Sequence, residues 1–432
     1  MHWILAAPAF LKVTLTFASI LVVTRLRVPL GASILLHSLL LTAWSGAGTA
    51  GFLYQAKGLI LPENYLLLIL IFLLLFFTEA LNVTGRMEQT VDALKRRFRS
   101  VRFLIAGLPA LVGLLPMPGG ALFSAPLLDS VDTRKQIDPA HKSILNYWFR
   151  HIWEYWWPLY PGVIMAVKYA NIPAGLFFMT QLPFTIAAAI VGYLLLLRRV
   201  NTEEPDGESA ELDIGAIWST LGPIGLLVGV SIAGSFLLPL SGLNDTLANI
   251  VSVLLGLLLA LLLVFRKNGR VFRKASGMAR SGSTWLMMLV VLGIQAFSTT
   301  LKTPLGGGAT LVSLMRDEFF AFGVPLVLVM IAIPFISGAV TGVALGFVGA
   351  SFPLVFALLG QDPSLNELVA TCALAYGSGY MGMIMSPVHI CYVVSNQYFK
   401  TGMSETYRYL WKPVLAMIAV SFLLAGSYYL AF

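Results

Sequence analysis

The chain has 432 residues, of which 58% are hydrophobic and only 11% charged, with a formal net charge of +8. A soluble domain carries roughly 25% charged residues, so this composition excludes a water-soluble globule and makes lipid the solvent. Lys and Arg fall in short segments between apolar runs, which is the pattern that orients membrane spans; the positive balance therefore gives no reason to expect a nucleic-acid partner.

The first apolar run, about 3–23, has no Lys or Arg before it and is followed by Arg25 and Arg27. A signal peptide shows the reverse order, so a retained helix with an outside N-terminus is expected. A second helix rises from Pro29, and a third, about 59–80, returns inside. Residues 87–100 form an amphipathic stretch whose basic residues suit the inner headgroups. The segment about 103–128 is not a simple span. Leu115-Pro116-Met117-Pro118-Gly119-Gly120 separates two half-length apolar arms, which predicts a re-entrant hairpin buried in protein or facing a cavity. A broken helix follows, about 141–170, interrupted at Trp157-Pro158-Leu159-Tyr160-Pro161-Gly162, where proline removes helix hydrogen bonds. A helix over about 173–197 closes this first repeat, 59–199.

Residues 200–283 read as a cytoplasmic linker and two connecting helices, about 214–240 and 243–265. A second repeat, 284–432, runs the same plan. It has an outward helix to Leu301, a surface stretch over about 306–322 and a hairpin over about 323–360. The hairpin breaks at Ser337-Gly338-Ala339-Val340-Thr341-Gly342. A broken helix over about 365–399 is expected to be interrupted from Tyr376 to Gly382 and to close at Ser386-Pro387, before a final helix over about 411–430. Glu79-Ala80 pairs with Gln295-Ala296, Ser124-x-Pro126 with Ser351-x-Pro353, Asp138-Pro139 with Asp362-Pro363, Pro161 with Pro387 and Pro183 with Pro413. These separations stay within roughly 215 to 230 residues, as a diverged internal repeat allows. The charge flanks of the two repeats are opposite, so the repeats are expected to be inverted in the membrane, with both chain ends outside. The fold class is thus an all-α polytopic membrane protein of two inverted repeats, each with a re-entrant hairpin and a broken transmembrane helix.

Residues 146–158, Asn146 through Pro158, place Arg150, His151 and Glu154 at membrane depth, where ionisable groups are costly and functional by default. Arg150 and Glu154 are four apart and would share a helix face. They form either a structural pair or a site in which Arg150 or His151 meets an anion while Glu154 sets charge or accepts a proton. The hairpin tips, Pro118, Gly119 and Gly120 in one and Ser337, Gly338, Thr341 and Gly342 in the other, offer backbone amides and half-helix ends that attract anions. Their alternative role is close helix packing. Asn146, Ser378, Gly379, Ser386 and His389 complete the candidate substrate and ion site. Trp148, Trp153, Trp156 and Trp157 either wall a cavity or pack. Cys372 and Cys391 are expected to be small buried hydrophobes. No metal cluster, cofactor or catalytic site is expected, leaving a possible Na+ at the hairpin tips. There is no P-loop, and the His-Glu-x-x-His arrangement of metalloproteases is missing.

The stretches Leu115 to Pro126 and Asn146 to Gly162 resemble the ion transporter superfamily, which includes gluconate, dicarboxylate, citrate and arsenite permeases. More specifically, they resemble an uncharacterised family of integral membrane proteins assigned to it. The resemblance covers nearly the whole chain. It implies a scaffold, including residues 1–58, plus a transport domain, an elevator-like motion and a homodimer in the cell membrane. The Ser-Asn-Thr hairpin motif of sodium-coupled dicarboxylate carriers is absent from both tips, so sodium coupling does not carry over. The function expected is secondary active transport of an organic or inorganic anion coupled to H+ or Na+. The alternatives are a channel or lipid-phosphate flippase on the same fold and, less favoured, an intramembrane enzyme.

Overall fold

The computed structural model describes residues 7–98, 100–116, 120–132, 135–198, 200, 211, 213–266, 269–305, 308–360 and 362–431. The first half holds α1 (Ala9–Arg25), α2 (Leu30–Ser45), α3 (Gly48–Leu59), α4 (Pro62–Val83), α5 (Arg86–Arg97), α6 (Val101–Gly113), α7 (Ala121–Val131), α8 (Pro139–Arg150), α9 (Pro161–Ala170) and α10 (Ala174–Gly192). The second holds α11 (Ile214–Leu237), α12 (Asp245–Phe265), α13 (Gly269–Ala275), α14 (Gly282–Leu301), α15 (Leu311–Ala321), α16 (Leu326–Thr341), α17 (Ala344–Ala357), α18 (Leu365–Ile384), α19 (Ile390–Tyr398) and α20 (Met403–Ala431).

Helix length sorts these elements. α4 has 22 residues, with an unbroken apolar run from Tyr65 to Phe77, and at about 1.5 Å per residue it reaches about 33 Å, enough for a hydrocarbon core of about 30 Å. Among the described residues, six helical segments, containing α4, α10, α11, α12, α14 and α20, are long and apolar enough to cross, and the chain is a multi-pass helical membrane protein. α6 and α7 have 13 and 11 residues, so each reaches only about 16–20 Å. α16 and α17 are similarly short, and both pairs fold back as hairpins. Long helices turn apolar side chains outward, as with Leu255, Leu258 and Leu262 on α12 and Leu415, Phe422 and Leu423 on α20. By contrast, α8 is buried all round from Ala140 to Arg150, and α18 from Val369 to Ile384. The two interrupted helices therefore form the centre of the molecule.

Helices from the two halves of the chain pack on one another. The leading pair α1–α2 lies on α15 and α14, whereas α11–α12 lies on α5 and α4. Likewise α9 packs on α17 and α19 on α7. Glycines permit the close approach that drives helix association in lipid: a Cβ on Gly293 of α14 would stand 2.8 Å from the Gly31 carbonyl oxygen of α2.

Several expectations need correction. Tyr376 to Gly382 is not an interruption; α18 runs unbroken to Ile384, and the break is at 385–389, around Pro387. The glycines there serve packing, since a Cβ on Gly382 would lie 2.0 Å from the Phe335 carbonyl oxygen and one on Gly377 2.1 Å from Ser421 Oγ. Ser337 and Gly338 lie in the last turns of α16 rather than at a tip, and the turn falls at Gly342, whose φ of 66° suits glycine. The final helix begins at Met403, and α3 and α13 were not foreseen. Pro118 and Gly119 lie outside the described residues.

Candidate functional site

Each interrupted helix frees backbone carbonyls that lack an intrahelical partner, and buried side chains satisfy them across the molecule. Tyr376 and Tyr380 of α18 donate their hydroxyls to the carbonyls of Glu154 at 2.6 Å and His151 at 2.5 Å in the first break. Tyr147 of α8 returns the bond, donating to Ile384 at the end of α18 at 3.1 Å. The aromatic run Trp153 to Tyr160 holds the end of the first hairpin arm. Trp153 donates to Ala110 O at 2.8 Å, Tyr160 to Gly113 O at 2.5 Å and Trp157 to Leu114 O at 2.9 Å. These indoles are thus structural donors within the protein. At the second hairpin, Ser386 donates to Ala339 O at 2.7 Å, and a Cβ on Gly342 would stand 3.0 Å from both Ser386 Oγ and the His389 amide.

Between the two breaks lies a buried polar cluster of Arg150, His151, Glu154, His389 and Cys391. The Arg150 guanidinium rests on the first hairpin tip: a Cβ on Gly120 would come within 2.3 Å of Nη2. Its Nη1 lies 3.4 Å from both His151 Nε2 and Cys391 Sγ. His151 Nδ1 is 2.5 Å from the Tyr147 carbonyl. A carbonyl only accepts, so Nδ1 carries the hydrogen and Nε2 presents a lone pair. His389 Nε2 meets that lone pair at 3.0 Å, and Glu154 Oε1 is 3.8 Å away from it. Below the cluster, Asn146 donates to Ser395 Oγ at 2.8 Å and Ser143 to Asn396 Oδ1 at 2.5 Å, joining α8 to α19.

Gly120, Arg150, His151, Glu154, His389, Gly342 and Ser386 therefore come together, with Asn146 one turn below Arg150. Arg150 and Glu154 do not share a helix face, because α8 ends at Arg150 and Glu154 lies in the break. Ser337, Thr341 and Ser378 spend their hydroxyls on their own helices, donating to Ile333 O, Ser337 O and Leu374 O. Gly338 and Gly379 are packed together, a Cβ on Gly338 falling 2.1 Å from the Gly379 carbonyl oxygen. Cys391 was expected to be inert, yet it lies in the polar cluster. The donors of His151, His389 and Cys391 all lie within 4.8 Å of one another, a closeness that sequence spacing did not suggest. Arg150 opposes a metal ion there, since its N–H already addresses the His151 and Cys391 lone pairs and brings a permanent positive charge.

A cavity of about 1040 Å³ opens elsewhere, where the ends of α3, α9 and α14 and the start of α4 meet α15 and α17. Its walls carry Lys57, Lys168, Lys302 and Arg316 against Glu63 and Asp362. Lys168 Nζ donates to Asn64 Oδ1. Asn64 in turn donates to Gly58 O at 2.5 Å, and Gln295 donates to Asn64 O at 3.2 Å, so this network ties α9 to α3, α4 and α14. The cations come from four separate elements, and no local motif marks them.

The family described as protein of unknown function DUF401 matches residues 10–427. The chain belongs to this family. No curated protein matches the DUF401 chain. Among solved structures it is similar to the YdaH transporter of Alcanivorax borkumensis, whose crystal structure is described as having an unusual topology. The identity is 14% and the TM-score 0.54, with 85% of this chain and 90% of that chain covered. At that identity the likeness is one of fold.

Proposed function

We propose that this DUF401 chain is a secondary active transporter of a small organic or inorganic anion, coupled to H+ or Na+. It works as a homodimer in the cell membrane, with both chain ends outside. The two halves are inverted repeats, and the hairpins and interrupted helices form a transport domain that moves past a scaffold of long helices in an elevator-like cycle. The observation that carries this reading is the meeting of both helix breaks at one buried cluster, with Arg150 laid on the Gly120 tip. Broken helices from two repeats place a binding site near the bilayer midplane, and arginine suits carboxylate or phosphate recognition. The cavity, with four cations against two carboxylates, supports an anion as cargo, because an excess of one sign in a cleft concentrates the opposite charge. The fold shared with the YdaH transporter agrees with the class.

A thermal-shift screen of carboxylates, phosphate and arsenite, with and without sodium, tests the proposal, since a ligand that binds the folded state raises its apparent stability. At least one anion is expected to shift the wild-type chain and to fail with Arg150→Gln, while Arg150→Lys retains part of the shift. An undiminished shift in Arg150→Gln overturns the site assignment.

A further inference from the structure

Five histidines occur in the chain, and two of them face each other across the helix breaks. His151 keeps its hydrogen on Nδ1, bound to the Tyr147 carbonyl, so the 3.0 Å contact with His389 needs a hydrogen from His389 Nε2. A neutral His389 then carries a bare lone pair on Nδ1. That atom is buried and has no hydrogen-bond partner, which is costly for an acceptor shut away from water. Were the His389 hydrogen on Nδ1 instead, two Nε2 lone pairs would oppose each other at 3.0 Å, and a further proton would have to sit between them. Either arrangement leaves the pair one proton short of satisfying its nitrogens.

Of the charged groups facing His389, Glu154 favours such a proton and Arg150 opposes it. His151, Arg150, Glu154 and Tyr147 face it from α8 and its break, Cys391 from the helix it caps, and Gly342 and Ser386 from the second hairpin and break. The titratable side chain of α7, Asp129, is engaged by Lys142 at 2.8 Å. Arg150 opposes any positive charge on the histidine pair, and a second charge most, while Glu154, 3.8 Å from His151 Nε2, supplies the countercharge for a single proton. The lone pairs of His151 Nε2 and His389 Nδ1 are on nitrogen, which hard cations such as Na+ do not favour. The Gly342 backbone is within reach of the His389 ring, and its carbonyl can accept from an imidazolium N–H.

We propose that His389 Nδ1 is a proton-binding site, and that its imidazolium bonds to the tip of the second hairpin, so that the coupling ion of this chain is H+. The coupling role rests on the transporter reading above; the proton site does not. Solid-state 15N NMR of the full chain in liposomes, labelled at histidine, reads the site without any transported anion. As pH falls, one histidine is expected to lose its bare-nitrogen signal and gain a second N–H, while the His151 Nδ1–H persists and Na+ changes neither. His389→Gln removes that resonance. If His389→Gln does not fold, His2→Gln, with His37→Gln and His141→Gln outside the cluster, assigns the remainder by subtraction. A His389 signal that stays in one neutral form over the whole pH range in which the chain is folded overturns the proposal. So does one that responds to Na+ or Zn2+ in place of pH.

Discussion

A Cβ placed on Gly113 would stand 1.9 Å from the carbonyl oxygen of Arg150, so the first hairpin and the first interrupted helix meet backbone to backbone. The second half has its counterpart, with Gly382 held against the Phe335 carbonyl. In both places the contact sets where a hairpin lies relative to a helix break.

Replacing either glycine by alanine therefore forces the pair apart. Overpacking of this kind costs about 1–3 kcal/mol or more, and Gly113→Ala and Gly382→Ala are each expected to lower the thermal unfolding midpoint in detergent. Gly225, with nothing within 4 Å of its would-be Cβ, is the control. Equal midpoints for Gly113→Ala and Gly225→Ala would contradict the close contact.

The aromatic run after α8 acts as a clamp on the end of α6. Tyr160→Phe leaves the Gly113 carbonyl without its donor, and Trp157→Phe does the same for Leu114. An unsatisfied buried polar group costs about 1–3 kcal/mol, so each variant is expected to unfold at lower temperature. If both match the wild type, the bonds contribute nothing to holding the hairpin.

Lys142 lies 2.7 Å from Asp132 and 2.8 Å from Asp129, tying the loop after α7 to the start of α8. Burial opposes the charge on Asp132, but the Lys142 hydrogen bond and the amides of Gln136 and Ile137 outweigh it and hold the carboxyl below its ordinary value. A depressed carboxylate stabilises the fold fully above its unfolded value of about 4, and that stabilisation is lost as pH falls through the folded value. Asp132→Asn is expected to cost on the order of 1–3 kcal/mol at neutral pH. It should also flatten the acid limb of stability measured by denaturant unfolding. An acid limb unchanged in Asp132→Asn would show that the loop does not depend on this charge.

The cavity cations give a prediction about capture. Lys302 is exposed at the end of α14, within the cavity wall. If the cavity gathers anions, Lys302→Glu raises the anion concentration for half-maximal thermal shift by about three- to tenfold at low salt, and the difference shrinks as salt screens it. A change that ignores ionic strength would argue against an electrostatic role.

Much of the architecture was legible because hydropathy and helix length are local. α4, α10, α12 and α14 follow from apolar runs long enough to span, and the first hairpin from its Pro- and Gly-rich break. The glycines of α18 were misread because sequence alone does not separate a glycine that breaks a helix from one that admits a neighbour. Gly379 and Gly382 admit α16, and Pro387, which removes a donor, marks the real break. Arg150, His151 and Glu154 stood out as ionisable residues in an apolar stretch. Cys391 did not, because its contact with Arg150 spans 241 positions. The same holds for the cavity lysines, which only the folded chain gathers.

Site-directed labelling tests most directly whether the two halves are inverted in the membrane. The native cysteines are buried, so Gln136→Cys and Asp362→Cys, both at exposed positions, report alone to a membrane-impermeant maleimide in sealed vesicles of known orientation. Modification of Gln136→Cys from the inner side and of Asp362→Cys from the outer side is the expected result. Modification of both from one face would contradict the opposed halves, and alternating access through them would go with it.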